Sequence, residues 1–292
     1  MQRGVISSIV ASGLFASLYY LAPALSPLAG QEIFGWRVLL TLPFTTLLLL
    51  ISGQWLTLVR LAQCVRRHPM LVPLLLLSSF LLGVQLWFFL WAPLNGRALP
   101  AALGYFLLPL AMVLAGRLLY RERLSRMQLC ATILASIGVV WEFGRSAGFS
   151  WEVAFVALGF TVYFTLRRHL RTNNLAGHWV DMMCMLPAAL FFILQRDSLG
   201  GLLQGYPKFY ALLPLLGILS AVALVLYMLA HRLLPLGLFG LLSYLEPLLL
   251  VVVALLLGER IATDQWPTYD FVMAAVALLA LEAGIRIKHK PY

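Results

Sequence analysis

Residues 4–25 hold little that water would favour, and the same is true of nine later runs: 33–51, 70–93, 99–119, 127–144, 151–170, 178–194, 209–230, 236–257 and 267–287. Their apolar positions follow neither the alternation of a half-buried strand nor the single stripe of a surface helix. A helix of about 20 residues crosses ~30 Å of hydrocarbon, and each run is long enough to do so. Transmembrane strands would be roughly ten residues long with alternating polarity, so the pattern speaks for helices. In lipid the backbone hydrogen bonds have to close within each segment, which a helix achieves alone. The pattern predicts an all-α membrane protein of ten transmembrane helices joined by short connections, with no room for a soluble domain.

Composition agrees, since 62% of the 292 residues are apolar and 11% are charged. Charge then adds orientation. The net charge of +10 would suggest nucleic acid in a soluble protein, but its distribution follows the connections. With the N-terminus in the cytoplasm, 15 of the 21 Lys and Arg fall on the cytoplasmic side. These are Arg3; Arg60, Arg66 and Arg67; Arg117, Arg121, Arg123 and Arg126; Arg167, Arg168 and Arg171; Arg232; and Arg286, Lys288 and Lys290. Arg97, Arg145, Arg196, Lys208 and Arg260 fall outside, and Arg37 lies within a span. This is the positive-inside asymmetry, so both termini are expected in the cytoplasm and nucleic acid is not an expected partner. The first run exceeds the ~7–15 residues of a usual signal-peptide core, so it is expected to stay as a span.

Candidate chemistry is sparse. The sequence contains no His-Glu-x-x-His, Cys-x-x-Cys, Gly-x-Ser-x-Gly or phosphate-cradling glycine loop. Cys64, Cys130 and Cys184 have no paired spacing, so neither a disulfide framework nor a metal site is expected, and no cofactor is implied. His178 and Asp181, three apart on one helical face, could pair locally. An enzyme acting on lipid headgroups would gather several ionisable residues at one membrane face, whereas these are scattered. A non-transporting membrane subunit would need no central cavity. The expectation is a non-enzyme.

An ionisable residue within a span costs ~2.5–3.5 kcal/mol on insertion scales and usually faces the bundle interior. Glu246, expected near the middle of the ninth run, is either a protonatable site of the kind that proton coupling requires or a carboxyl that binds a neighbouring helix. Arg37, about one turn into the second run, either anchors a substrate carboxylate or snorkels to the interface. Gln85, Trp87, Tyr105, Tyr227 and Tyr244 lie deeper than the interfacial aromatic belt. If their faces converge, they line a cavity with apolar walls and a few hydrogen-bonding tips.

Prolines inside the runs recur at nearly one offset: Pro43 with Pro187, Pro73 with Pro214, and Pro109 with Pro247. "YRERLSRMQL" (120–129) is echoed by "LGERIATDQW" (257–266), pairing Glu122 with Glu259, Arg123 with Arg260 and Gln128 with Gln265. Five spans per copy is an odd number, so the copies face opposite ways, as inverted-topology repeats do. The expected units are residues 1–146 and 147–292. Pro109 and Pro247 each remove a backbone bond at matching places and are the hinge candidates.

"ALGYFLLPLAMVLAGRLLYRERLSRMQLCATILASIGVV" (102–140) resembles the fourth and fifth helices of the drug/metabolite transporter superfamily, in its EamA-repeat permeases of the RarD type. "GVQLWFFLWAPLN" (83–95) and "FGWRVLLTLPF" (34–44) resemble the earlier helices, and "LLSYLEPLLLVVVALLLGER" (241–260) the second repeat. The resemblance runs from about residue 4 to 287. It implies ten helices in two EamA repeats, a bacterial inner membrane, and efflux of amino acids, related metabolites or drugs. Trp36-Arg37 stands where such members usually show His-Arg, Gln85 and Leu108 where they show Asn, and Pro100 where they show Glu. These departures imply a less polar ligand. The expected protein is therefore an inner-membrane secondary transporter exporting a small organic solute by alternating access, with the bilayer and protons as its other partners.

Overall fold

The computed structural model describes residues 2–121, 125–144, 150–195, 204–234, 239 and 242–288. Glu122, Arg123, Arg145, Arg196, His289 and Lys290 lie outside the described residues. Eleven helices and no strand occur among those described: α1 Gln2–Leu21, α2 Gly30–Ile51, α3 Trp55–Arg67, α4 Leu71–Leu94, α5 Ala98–Tyr120, α6 Arg126–Gly144, α7 Trp151–Leu170, α8 Leu175–Leu194, α9 Phe209–Leu233, α10 Leu245–Leu256 and α11 Trp266–Lys288. Every predicted apolar run carries one of them. Six are long and apolar enough to cross a membrane: α1 with the turn after it, α2, α4, α5, α8 and α9.

Two helices differ from the sequence expectation. Residues 52–69 read as a loop, yet they contain α3, whose Leu58 is buried while Arg60, Arg66 and Arg67 stay exposed. Its apolar positions Leu58, Leu61 and Val65 keep helical spacing, but the segment is too short and too basic to stand out beside the spans. The ninth run was expected as one helix over 236–257, with Glu246 near its middle. Instead a turn at 243–244 precedes α10, and Glu246 lies in its first turn. Proline suits a first-turn position. Pro247 has no N–H to give a continuous helix, whereas first-turn amides have no intrahelical partner, so a proline is tolerated there. A carboxylate in that first turn also suits the positive end of the helix dipole.

Side chains close several helix ends. The Ala29 amide donates to Glu32 Oε2 at 2.7 Å at the start of α2, and the Gly177 amide donates to the Asn174 side-chain oxygen at 2.9 Å at the start of α8. Before α6, Ser125 and Gln128 cap one another, each main-chain N–H donating to the other's side chain at 3.0 Å. Before α11, Gln265 accepts from the Ala262 amide, also at 3.0 Å. Thus Gln128 and Gln265, paired in the sequence, each accept from the amide three residues earlier.

The chain forms two compact units. One comprises residues 1–16, 95–161 and 226–292. Within it α5 packs on α10, and α6 on α11. A Cβ on Gly138 of α6 would stand 3.2 Å from the Thr268 carbonyl oxygen, so glycine lets α11 come close. The other comprises residues 17–94 and 162–225. Here α8 packs on α2, α4 and α3. A Cβ on Gly35 of α2 would stand 2.6 Å from the Ala189 carbonyl oxygen of α8, closer than real Cβ contacts come.

Candidate functional site

In the unit of residues 17–94 and 162–225, α4 carries two of the expected site residues and α2 a third. Gln85 is buried on α4. Trp87, two residues on, is half-buried with its ring centroid 5.6 Å from that of Trp91. Its Nε1–H is buried and has no hydrogen-bond partner among the described residues. Gly30 makes room for this indole, because a Cβ there would lie 3.1 Å from Trp87 Nε1. Arg37 is buried on α2 with its guanidinium 5.1 Å from the Phe89 ring centroid. The ring face offers the cation a weak electrostatic partner in a setting that excludes water. Arg37 therefore does not snorkel to the surface.

The same unit holds a polar centre that sequence reasoning missed. Asp181 of α8 and Arg167 of α7 form an ion pair of 3.0 Å, with side chains 2% and 4% exposed. Asp181 Oδ2 also accepts from the Tyr163 hydroxyl at 3.0 Å, and Oδ1 accepts from the Ser78 hydroxyl at 3.0 Å. Ser79 donates to the Asp181 main-chain oxygen at 2.8 Å. Arg167 reaches back with its second amino group to the carbonyls of Thr172 and Asn174, so it ties the turn after α7 to the start of α8. Every lone pair of the carboxylate that matters has a donor, as a buried charge needs.

Arg167, one of the charges counted on the cytoplasmic side, is buried. One expectation is corrected. Asp181 was read as a possible helical partner of His178, but its carboxylate is held by Arg167, Tyr163 and Ser78. His178 Nε2 is buried without a hydrogen-bond partner among the described residues. A usable pointer was present: Asp181 is an acid within an apolar run, and such a group needs a cation from another helix.

In the unit of residues 1–16, 95–161 and 226–292, Tyr105 is buried on α5, its ring 5.7 Å from Phe160. Tyr227 of α9 packs edge-on against Phe15 at 6.3 Å and Phe239 at 5.1 Å. Tyr244 and Glu246 lie in the same unit, as does Glu282 of α11, a buried acid not weighed from the sequence. Pro109 lies inside α5 and Pro247 in the first turn of α10, and these two helices pack together.

The N-terminus of α5 is closed by a residue 160 positions away in the chain. Glu259 accepts from the amides of Ala98 and Leu99 at 2.6 and 2.7 Å. Among the described residues no three His, Cys, Asp or Glu side chains come together to hold a metal ion.

Comparison with known proteins gives relatives along nearly the whole chain. An "uncharacterized transporter" of Pasteurella multocida is 38% identical over 290 residues, 99% of each chain. The "chloramphenicol-sensitive protein RarD" of Pseudomonas aeruginosa is 41% identical over 284 residues, which is 97% of this chain and 95% of that protein. "Protein RarD" of Escherichia coli is 30% identical over 280 residues, 94% of this chain and 90% of that protein. No protein-family model matches. One solved crystal structure covers 96% of both chains with a TM-score of 0.59 at 19% identity, a likeness of fold alone.

Proposed function

Since the chain belongs to the RarD family of membrane transporters, we propose that it is a secondary transporter of the bacterial inner membrane, exporting small organic solutes by alternating access. The observation that carries this reading is the extent of the similarity. Proteins named as uncharacterized transporters align over 97–99% of this chain and 94–99% of their own length, so the relation is to a whole transporter and not to a shared segment. The solutes are amino acids or related metabolites, and the aromatic departures at Trp36 and the apolar Leu108 favour aromatic or drug-like ones.

The proposed architecture is ten spans in two inverted EamA repeats, residues 1–146 and 147–292, with both termini cytoplasmic. Its support lies in which helices meet. α2 packs on α8, α5 on α10 and α6 on α11. These are the second span with the seventh, the fourth with the ninth and the fifth with the tenth. Equivalent spans meet in this way where a pseudo-two-fold axis runs between repeats. The matched roles of Gln128 and Gln265 point the same way.

Glu246 is the proposed proton-coupling group. Its place in the first turn of α10 follows the discontinuous helices by which transporters bring a helix end and a titratable group to a solute path. Residues proposed for solute contact are Arg37, Gln85, Trp87, Tyr105, Tyr227 and Tyr244. Pro109 and Pro247 are the proposed hinges. Purified protein in proteoliposomes, screened with radiolabelled amino acids and with neutral aromatic compounds including chloramphenicol, tests this function. Saturable solute movement that protein-free vesicles lack supports it, and flux no greater than theirs across the panel contradicts it.

A further inference from the structure

The α3 helix is tied closely to two spans. Residues 52–54 join it to α2 and residues 68–70 join it to α4, so each of its ends lies within about 14 Å of a span end. The exit from α2 is fixed by hydrogen bonds: the Gly53 amide donates to the Leu50 carbonyl at 3.1 Å and the Gln54 amide to the Leu49 carbonyl at 3.2 Å. Gly53 takes a φ of 69° to make this turn, the left-handed conformation that closes a Schellman helix end. Thus α3 sits where α2 and α4 leave the hydrocarbon.

Its sides differ in chemistry. A helix turns about 100° per residue, which gathers Leu58, Leu61 and Val65 into one arc. These are buried or half-buried, and α3 packs on α8. Trp55, Val59 and Ala62 gather on the next flank, which the protein leaves uncovered: Trp55 is 44% exposed and Val59 37%. Leu56, 65% exposed, widens this flank at the helix start. Arg60 and Arg67 stand beyond it, and Arg66 joins it in the last turn. All three arginines are exposed, and none forms an ion pair among the described residues. The chain has no Asp or Glu from residue 33 to 121.

Water would leave Trp55, Leu56 and Val59 unburied, and acyl tails would strip the arginines of solvent. The headgroup layer of the bilayer serves both. A helix with Trp and aliphatic residues on one flank and arginines beside them lies in that layer, its apolar flank at the edge of the tails. The guanidinium fork pairs with phosphate oxygens, and a long arginine side chain in the apolar flank reaches outward to them. An anionic cytoplasmic leaflet adds about fivefold in affinity for each Arg near its surface.

We infer that α3 is an interfacial helix that binds anionic phospholipid headgroups of the cytoplasmic leaflet, with Trp55, Leu56 and Val59 at the level of the glycerol esters and Arg60, Arg66 and Arg67 on the phosphates. This rests on the proposed cytoplasmic placement of residues 52–69. It uses none of the residues proposed for solute contact, and its test reads no flux.

Cys64 is exposed on the side of α3 opposite the uncovered flank and reports where the helix lies. In the full-length protein it is expected to react with a membrane-impermeant maleimide in inverted membrane vesicles and to stay unlabelled in spheroplasts, with Cys64→Ser identifying the signal. Val59→Cys in the Cys64→Ser background is expected to react at least several-fold more slowly in the same inverted vesicles. Labelling of Cys64 from outside overturns the cytoplasmic placement and this site with it, whereas equal rates at the two positions in inverted vesicles overturn the interfacial helix alone. In native mass spectra after mild delipidation, wild type supplied with equal phosphatidylglycerol and phosphatidylcholine is expected to retain the former at least several-fold over the latter. The preference should vanish in Arg60→Gln/Arg66→Gln/Arg67→Gln and persist when the same three become Lys. Should the glutamine variant insert poorly, high salt during delipidation of the wild type should weaken the preference by screening the arginines. Equal retention of the two lipids overturns the site. So does a preference that survives the glutamine substitutions or, where those cannot be read, survives salt. A soluble acidic protein that co-purifies and shields Cys64 as well as position 59 overturns it too.

Discussion

The Arg167 guanidinium meets the Asp181 carboxylate at 3.0 Å, with Tyr163 and Ser78 completing the donors around the acid. Removing one partner leaves the other charged and buried, which costs roughly 3–5 kcal/mol, whereas replacing both by apolar residues of similar volume is often near neutral. Arg167→Met and Asp181→Leu should each lower the thermal unfolding midpoint of the purified protein in detergent by many degrees. The double variant should recover most of the loss. Additive losses in the double variant would show that the pair is not coupled.

Glu259 holds the first two amides of α5. Loss of a charged cap at a helix N-terminus costs about 1–2 kcal/mol. Glu259→Ala should lower the unfolding midpoint by a few degrees and Glu259→Gln by less, because the amide keeps one acceptor. Amide hydrogen exchange checks the place of the effect: protection should fall at residues 98–102 before it falls elsewhere. Unchanged exchange there would contradict the cap.

Gly35 sits where a Cβ would press to 2.6 Å from the Ala189 carbonyl, while Gly13 of α1 has no heavy atom within 4 Å of its built Cβ. Backbone cannot yield as a flexible side chain can, so overpacking at Gly35 costs about 1–3 kcal/mol or more. Gly35→Leu should reduce both the yield of monodisperse protein and its unfolding midpoint. Gly13→Ala should leave both unchanged. Equal behaviour of the two variants would contradict the close α2–α8 approach.

The apolar runs made the helices legible, because a span is a local property: its length and hydropathy are set by consecutive residues. The prolines and the Gln128–Gln265 echo, which carry the proposed repeat, are local in the same sense. Three features were not legible. The turn before α10 depends on whether Pro247 is better placed within a helix or at its start, which packing decides. The α3 helix has too few apolar residues to separate from a loop by composition. The Arg167–Asp181 pair joins two helices through side chains 14 positions apart, and Glu259 caps α5 across 160 positions. Residue type names the need for a partner, but only the fold chooses it.

Glu246 is the one acid in the ninth run, and it stands in the first turn of α10. The most direct measurement is solute flux in proteoliposomes with and without an imposed pH gradient, comparing wild type with Glu246→Gln. The account predicts saturable flux by the wild type that an inwardly acidic or alkaline gradient drives in opposite directions. It predicts that Glu246→Gln keeps solute exchange between the two sides but loses the response to the gradient. No flux by the wild type across the solute panel would contradict the transporter, and a gradient response unchanged in Glu246→Gln would contradict the coupling role of this carboxyl.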